Sequence, residues 1–181
     1  MLYSLKVPFQ SSGESLGDTL FADAAAAADS LPPWLRARAE GQNAAHNVAH
    51  NDGRSLPEFL SGEWEEGSDV MHPVLRSHPL TGRATVFVSP AYVRHVVGLP
   101  DEESAALLSD LYAHLFQLRH IYRHSWLPDD LLVWDNGRLL HKATTLEMPP
   151  ESERVMWRVQ TLGPGNFGPL PSSMSGLDLL R

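Results

Sequence analysis

The chain has 181 residues, a formal net charge of −8 at neutral pH and 43% hydrophobic residues, which predicts one globular domain with a sizeable core. The acidic balance argues against nucleic acid or an anionic membrane surface as a partner. The chain has no cysteine for disulfide or thiol chemistry, no apolar run near the roughly 20 residues of a membrane span and no visible signal peptide, so we expect a cytoplasmic protein.

The N-terminal part of the chain predicts a strand, a loop and two helices. Residues 2–7 alternate in the manner of a strand, and residues 11–18 form a loop rich in serine and glycine. Residues 20–31 are rich in alanine and end before two prolines, which predicts a helix. A second short helix is expected over residues 34–40.

Two histidines follow in a segment whose role the pattern leaves open. His46 and His50 are four positions apart, a spacing that would place both on one face of a helix and permit metal binding. His50 and Asp52 also form a His-x-Asp pair. The alternative is a solvated helix end at the Asn-Asp-Gly turn of residues 51–53.

The middle of the chain predicts a loop, a strand and the clearest helix. His72 and His78 flank prolines in an extended stretch, where polar contacts that fix a loop are expected more than metal binding. Residues 84–89 predict a strand, in which Phe87 is by default a core aromatic. Residues 101–118 predict a helix, because acidic residues suit its positive N-terminal end and leucines form one apolar stripe.

The stretch from Trp134 to Arg158 concentrates residues with binding chemistry. A buried-looking run over residues 131–134 ends in an Asp-Asn-Gly turn, and His141 follows it. Arg154 and Arg158 share one face of a strand candidate about 13 Å apart, a separation that suits two different anions. The alternative is a surface strand with a solvated arginine face and a core face of valine and tryptophan.

Several segments, in the same chain order, resemble the taurine/2,4-D dioxygenase family of iron(II)- and 2-oxoglutarate-dependent oxygenases. Residues 17–21 read Gly-Asp-Thr-Leu-Phe, and residues 72–83 contain His-Pro-Val-Leu-Arg followed by His-Pro-Leu-Thr-Gly-Arg. Residues 132–136 read Leu-Val-Trp-Asp-Asn and precede the histidine and the two arginines. The resemblance covers nearly the whole chain.

The resemblance implies a fold that is mainly β with flanking helices, namely a double-stranded β-helix or jelly roll of two packed sheets. It implies a dioxygenase domain over residues 1–162. Residues 163–181 are rich in glycine, proline and serine without periodicity, which predicts a loop and loose tail. In the family, the strand that resembles residues 2–7 lies well inside the domain. The jelly roll is therefore expected to be incomplete at its N-terminal edge, without the family's upstream His-x-Asp pair of metal ligands.

The resemblance also implies the chemistry: hydroxylation of a small anionic organic substrate with O2, while 2-oxoglutarate is converted to succinate and CO2. His141 would be the distal ligand of iron(II), and Thr19 and Arg154 would hold 2-oxoglutarate. The competing role for Thr19, or for Asp18 before it, is the cap of the next helix. The substrate-contacting positions implied by the resemblance are Val48, Phe87 and Arg158.

A second hypothesis is a truncated, non-catalytic domain: a pseudoenzyme or partner subunit that binds 2-oxoglutarate weakly through Arg154. One imidazole cannot hold iron(II) firmly. His50 and Asp52 follow Thr19 in the chain, whereas the family's metal pair precedes the corresponding threonine. An open sheet edge would favour pairing with a second copy or with a complete homologue.

Overall fold

The computed structural model describes residues 1–47 and 69–161, and within these ranges the chain forms eleven strands, three α-helices and two short 3-10 helices. The strands are β1 (Leu2–Lys6), β2 (Thr19–Asp23), β3 (Asn43–His46), β4 (Val70–Pro73), β5 (Leu75–Ser77), β6 (Ala84–Val86), β7 (Val93–Val96), β8 (Ile121–His124), β9 (Leu131–Leu132), β10 (Leu139–Ala143) and β11 (Val155–Arg158). The helices are α1 (Ala24–Asp29), α2 (Pro33–Ala39) and α3 (Asp101–Leu115), with 3-10 turns at Leu118–His120 and Thr145–Glu147. No helix in the described ranges is long and apolar enough to cross a membrane.

The strands form antiparallel sheets in which neighbours are often far apart in sequence. Three sheets have three strands each, in the orders β11-β1-β9, β10-β2-β8 and β4-β3-β7, and β5 pairs with β6. Strands from the two ends of the chain therefore lie side by side: β1 pairs with β11, and β2 with β10. This arrangement brings residues 17–23 next to residues 139–158, where the candidate functional residues lie.

The main core lies between the three helices and the strands that they cover. Helix α1 packs on β6, and α3 packs on β7 and α2. The predicted leucine stripe of α3 is confirmed, because Leu107, Leu111 and Leu115 are each at most 1% exposed. The helix ends at Leu115, three residues before the predicted end, because Gln117 is already extended and a 3-10 turn follows.

The alanine-rich segment begins as a strand, which corrects the predicted helix over residues 20–31. β2 pairs with both β8 and β10, and α1 begins only at Ala24. The cap is Asp23, whose Oδ1 accepts hydrogen bonds from the backbone N–H groups of Ala25 (3.0 Å) and Ala26 (2.9 Å). Neither Asp18 nor Thr19 caps the helix, so that competing role for Thr19 was wrong.

His46 lies in strand β3 and not in a helix, because both sides of β3 are paired, with β4 and β7. The expectation that His46 lies on a helix face was therefore wrong. Val48, His50 and Asp52 lie outside the described residues, as does the predicted tail over residues 163–181.

The sheet β11-β1-β9 has an exposed apolar face. Tyr3 lies opposite Trp157 on one side and opposite Leu131 on the other, so the three side chains share one face of the sheet. Trp157 is 64% exposed and Leu131 61% exposed, and the Tyr3 and Trp157 rings are 5.8 Å apart. The interpretation of Trp157 as part of a core face was wrong within the described part of the chain.

Candidate functional site

Thr19 occupies the first position of β2, and its hydroxyl oxygen already accepts a hydrogen bond. The residue is 2% exposed, and its Oγ1 accepts a hydrogen bond from Nε1 of Trp126 at 3.0 Å. An indole N–H can only donate, so this contact uses a lone pair of Oγ1 and leaves the hydroxyl proton free to be donated. The hydroxyl is thus prepared to donate to an anion.

Arg154 lies immediately before β11 and carries a partly buried guanidinium. Its central carbon is 5.6 Å from the centre of the Trp126 ring, a cation–π distance. Nε and Nη2 are buried and have no hydrogen-bond partner in the described structure. Burial lowers the pKa of Arg154, and the carboxylate of Asp18 partly opposes that change. A buried cation with two free donors is the arrangement that a carboxylate ligand would complete.

The backbone of Gly17 packs closely against the Arg154 side chain. It adopts φ +76°, in the left-handed region that favours glycine. A Cβ at this position would lie 2.6 Å from Sδ of Met148 and 2.7 Å from Cδ of Arg154. Both the backbone conformation and the close approach therefore require glycine, which explains the first residue of the Gly-Asp-Thr segment.

Asp18, the middle residue of that segment, anchors the turn. It is 3% exposed; its Oδ2 accepts hydrogen bonds from Nε of Arg123 (2.6 Å) and Oγ of Ser125 (3.0 Å), and its Oδ1 accepts one from Oγ of Ser15 (2.8 Å). Burial acts to raise the pKa of Asp18, but the hydrogen bonds from Arg123 and the two serines outweigh it, and the pKa is lowered. Asp18 therefore stays ionised and supplies a negative charge near Arg154.

His141 lies in β10 directly opposite Phe21 of β2. Its ring packs against Trp134, with ring centres 5.0 Å apart, and stacks on Phe21 at 6.2 Å, while part of the side chain stays exposed. Burial by these neighbours lowers the pKa of His141, and the positive charges of Arg158 and the N-terminal ammonium lower it further. A neutral, accessible imidazole is the form that binds a metal ion.

The antiparallel register places Thr19 of β2 and His141 of β10 on one face of their sheet. Thr19 lies opposite Ala143, and His141 is two residues earlier on the same strand as Ala143, so Thr19 and His141 are diagonal neighbours.

Arg158, at the end of β11, is exposed. Its Nη2 donates to Oε1 of Gln160 at 2.9 Å, and its positive charge contributes to the lowered pKa of His141.

Phe87 lies in a different cluster of rings, on the strands next to α1 and α3. It stacks on His46 at 5.5 Å, meets the edge of His72 at 5.2 Å, and lies 4.7 Å from the guanidinium carbon of Arg76. None of these three neighbours is Thr19, Arg154 or His141. His78 fixes a loop as expected, because its ring bonds to Asp135 at 2.7 Å and accepts from two backbone N–H groups.

Sequence reasoning missed Trp126 and the anchoring role of Asp18. Asp18 could have been found as the middle residue of the Gly-Asp-Thr segment. Trp126 had no such signal, because its contact with Thr19 joins residues 107 positions apart.

The described residues fit 2-oxoglutarate better than they fit a metal ion. Arg154 and Thr19 offer buried donors to a carboxylate, whereas no group of three or more His, Cys, Asp or Glu side chains that could hold a metal occurs in residues 1–47 and 69–161. His141 is therefore not part of such a group within this part of the chain.

Comparisons with known proteins agree with this geometry. The model of the taurine catabolism dioxygenase TauD, TfdA family matches residues 1–160. An alpha-ketoglutarate-dependent 2,4-dichlorophenoxyacetate dioxygenase of Burkholderia sp. is 33% identical over 154 residues, which cover 81% of this chain and 49% of the relative. Pentalenolactone F synthase of Streptomyces arenae is 30% identical over 179 residues, covering 93% of this chain and 58% of the relative. The chain spans about half the length of the curated relatives it matches.

Solved structures give the same result for the fold. AAD-2, in complex with Mn(II) and N-oxalylglycine, superposes with a TM-score of 0.70 at 25% identity, covering 86% of this chain and 60% of that one. A taurine dioxygenase from Burkholderia xenovorans superposes with a TM-score of 0.66 at 28% identity, covering 86% of this chain and 48% of that one. The predicted jelly roll with flanking helices is confirmed.

Proposed function

The chain belongs to the TauD/TfdA family of dioxygenases, and from that membership we propose that it performs iron(II)- and 2-oxoglutarate-dependent hydroxylation of a small anionic organic substrate. The observation that carries the proposal is the guanidinium of Arg154, whose two buried donors have no partner in the described structure, packed on the Trp126 ring whose N–H donates to the hydroxyl of Thr19. When bound, iron(II) and 2-oxoglutarate supply the O2-dependent oxidation, with succinate and CO2 as co-products.

The proposed role of Thr19 and Arg154 is to bind one carboxylate of 2-oxoglutarate. The free Nε–H and Nη2–H of Arg154 would donate to its oxygens, and the Thr19 hydroxyl would donate a further hydrogen bond. Hydrogen bonds to charged groups contribute about 1.5–3 kcal/mol each in water-poor surroundings. Asp18 balances the charge of Arg154 without contacting the ligand directly.

The proposed role of His141 is to donate an imidazole nitrogen to the metal, beside the cosubstrate. Arg158, near His141, is proposed to face the anionic group of the substrate, and Phe87 and Val48 are proposed to contact the rest of it. The names of two relatives support an anionic substrate, since one acts on 2,4-dichlorophenoxyacetate and another on (S)-phenoxypropionate.

The remaining expectations belong to the same proposal. O2 and a small molecule are the expected partners, the cytoplasm is the expected location, and association with a second copy or a homologue stays a prediction. No observation in the described residues favours the alternative of a non-catalytic subunit.

Cosubstrate binding tests the proposal. The 181-residue chain is titrated with 2-oxoglutarate by ligand-observed NMR, and the titration is repeated with Arg154→Met and with Arg38→Met as a matched control. Arg38 lies on α2 and pairs with Asp110 at the surface. We expect saturable binding to the parent and the control, and at least about tenfold weaker binding to Arg154→Met. A parent chain without saturable binding would contradict the proposal.

Metal dependence is the second test. Iron(II) is added anaerobically in the presence of 2-oxoglutarate, and succinate is then measured in air for the parent and for His141→Ala. The proposal expects any succinate release to disappear in His141→Ala, and release that persists in this variant would exclude His141 as a ligand.

A further inference from the structure

We propose that Trp126 is a positioning residue that orients both groups of the cosubstrate site, Thr19 and Arg154. The inference rests on the proposed function and adds to it a residue that contacts no reacting atom. Trp126 is completely buried and is the largest fully buried side chain in the described structure. Its two polar properties, the indole N–H and the electron-rich ring face, are each directed at one member of the site.

The first contact determines how the Thr19 hydroxyl is oriented. A threonine hydroxyl can accept or donate, and with no fixed neighbour it would rotate among several orientations. Trp126 Nε1–H has no acceptor capacity, so at 3.0 Å it forces Oγ1 of Thr19 to accept. The hydroxyl proton is then directed away from the indole and is available to a ligand carboxylate. Trp126 thus sets the donor role of Thr19 before the ligand arrives.

The second contact holds the guanidinium of Arg154. The ring face of Trp126 attracts the cation at 5.6 Å, on a side chain whose Cδ also faces the backbone of Gly17. Nε and Nη2 have no hydrogen-bond partner in the described structure, while the side chain packs closely against Gly17 and the Trp126 ring and is attracted by the Asp18 carboxylate. These contacts hold the charge of Arg154 and leave the two donors for the ligand.

Sheet register explains why Trp126 can reach both groups. Thr19 of β2 lies opposite His124 of β8, and Trp126 follows His124 by two residues, so it continues the same face beyond the end of the strand. The His124 ring meets Trp126 edge-on, with ring centres 4.4 Å apart, and fixes the indole plane. Residues far apart in the chain are thus aligned by one buried ring.

The experiment is a double-mutant cycle measured as affinity for 2-oxoglutarate in the absence of metal. Trp126→Phe keeps an aromatic face but removes the N–H, and Thr19→Val removes the hydroxyl with little change of shape. We expect Trp126→Phe alone to weaken binding about 3- to 10-fold, as for loss of one hydrogen bond. In the Thr19→Val background the same substitution should weaken binding clearly less, because the hydroxyl that the N–H orients is gone and only the ring contact with Arg154 is still altered.

Trp34→Phe is the matched control, since Trp34 is 55% exposed on α2, and its affinity should equal that of the parent. A structural role of Trp126 alone would predict additive losses in the cycle, and additive losses overturn the inference. An unchanged affinity in Trp126→Phe also overturns it. Should the parent fail to bind 2-oxoglutarate, the proposed function falls together with the inference, whereas normal parent binding with an insensitive Trp126 removes only the inference.

A measurement on the unmodified chain covers the case in which a variant does not fold. The indole N–H resonance of Trp126 is assigned by multidimensional NMR of the parent. Addition of 2-oxoglutarate should shift this resonance, because the Thr19 hydroxyl would donate to the ligand while it accepts from the indole N–H of Trp126. Saturation with ligand that leaves the resonance unmoved contradicts the coupling between Trp126 and the cosubstrate.

Discussion

Replacing Gly17 by alanine should disrupt the cosubstrate site through the side chain of Arg154. Gly17 has φ +76°, and an added Cβ would lie 2.7 Å from Cδ of Arg154 and 2.6 Å from Sδ of Met148. Carbon and sulfur atoms do not approach a Cβ this closely, so Arg154 or the turn itself must move. The same change at Gly13 provides a control, because Gly13 has φ +89° and nothing within 4 Å of an added Cβ.

The expected magnitudes follow from the two components of the change. A left-handed alanine costs about 1–2 kcal/mol, and this cost applies at both glycines. The collision at Gly17 adds about 1–3 kcal/mol of overpacking, which for a chain of this size lowers Tm by a further 2–12 °C or so. Displacement of the guanidinium should also weaken 2-oxoglutarate binding by about 10- to 100-fold, as expected when charge-assisted hydrogen bonds are lost.

Two assays on both variants separate these effects. Thermal unfolding followed by circular dichroism gives the difference in Tm, and ligand-observed NMR gives the affinity for 2-oxoglutarate. We expect Gly13→Ala to retain parental affinity with a small loss of Tm, and Gly17→Ala to lose both. Equal behaviour of the two variants would refute the reasoning, because backbone strain would then account for the whole effect and the contact with Arg154 would not matter.

Three further predictions concern charge. Arg154→Lys keeps the positive charge but loses the planar fork, so 2-oxoglutarate affinity should fall about tenfold by NMR titration; parental affinity would show that charge alone suffices. Asp18→Asn removes the charged acceptor of Arg123 and should lower the free energy of unfolding in urea by about 1–3 kcal/mol, and an unchanged value would mean that the buried carboxylate adds nothing. Burial, with His72 and Arg76 adding to it, lowers the pKa of His46 to about 4, below the 6.5 of the unfolded chain. The unfolded chain therefore binds a proton at His46 more readily than the folded chain does. The free energy of unfolding is unaffected above about pH 6.5 and falls by on the order of 3 kcal/mol as the pH drops towards about 4. In His46→Gln the free energy of unfolding should depend less on pH over this range.

Local sequence signals predicted those parts of the fold that local interactions determine. Helix α3 begins where acidic residues and a leucine stripe indicated, because its register depends on residues three and four apart. The alanine run of residues 24–28 is helical as predicted, but the predicted start was too early, because strand pairing with β8 and β10 on both sides overrides helix propensity over residues 20–23. Alternation in β11 correctly separated the two faces, but it could not show that the face with Trp157 is left exposed.

The candidate site shows the same division between local and distant information. Thr19, Arg154 and His141 were predicted from segments that resemble a family; in the structure Thr19 is a diagonal neighbour of His141, and Trp126 contacts both Thr19 and Arg154. Trp126 was missed, because nothing in the residues around it indicates a bond to a threonine 107 positions earlier. Contacts of this kind arise from sheet register, which depends on the whole fold.

In the 181-residue chain, the amino group of Met1 has a consequence for how samples are prepared. The N-terminal ammonium donates a hydrogen bond to the carbonyl of Val159 at 2.8 Å, and its charge contributes to the lowered pKa of His141. A purification tag fused before Met1 replaces this ammonium with a neutral amide and removes a positive charge near the imidazole. A tag placed after Arg181 leaves the charge unchanged. Preparations tagged at opposite ends therefore differ electrostatically at His141, and their metal affinities should be compared only after the tag is cleaved to a common first residue.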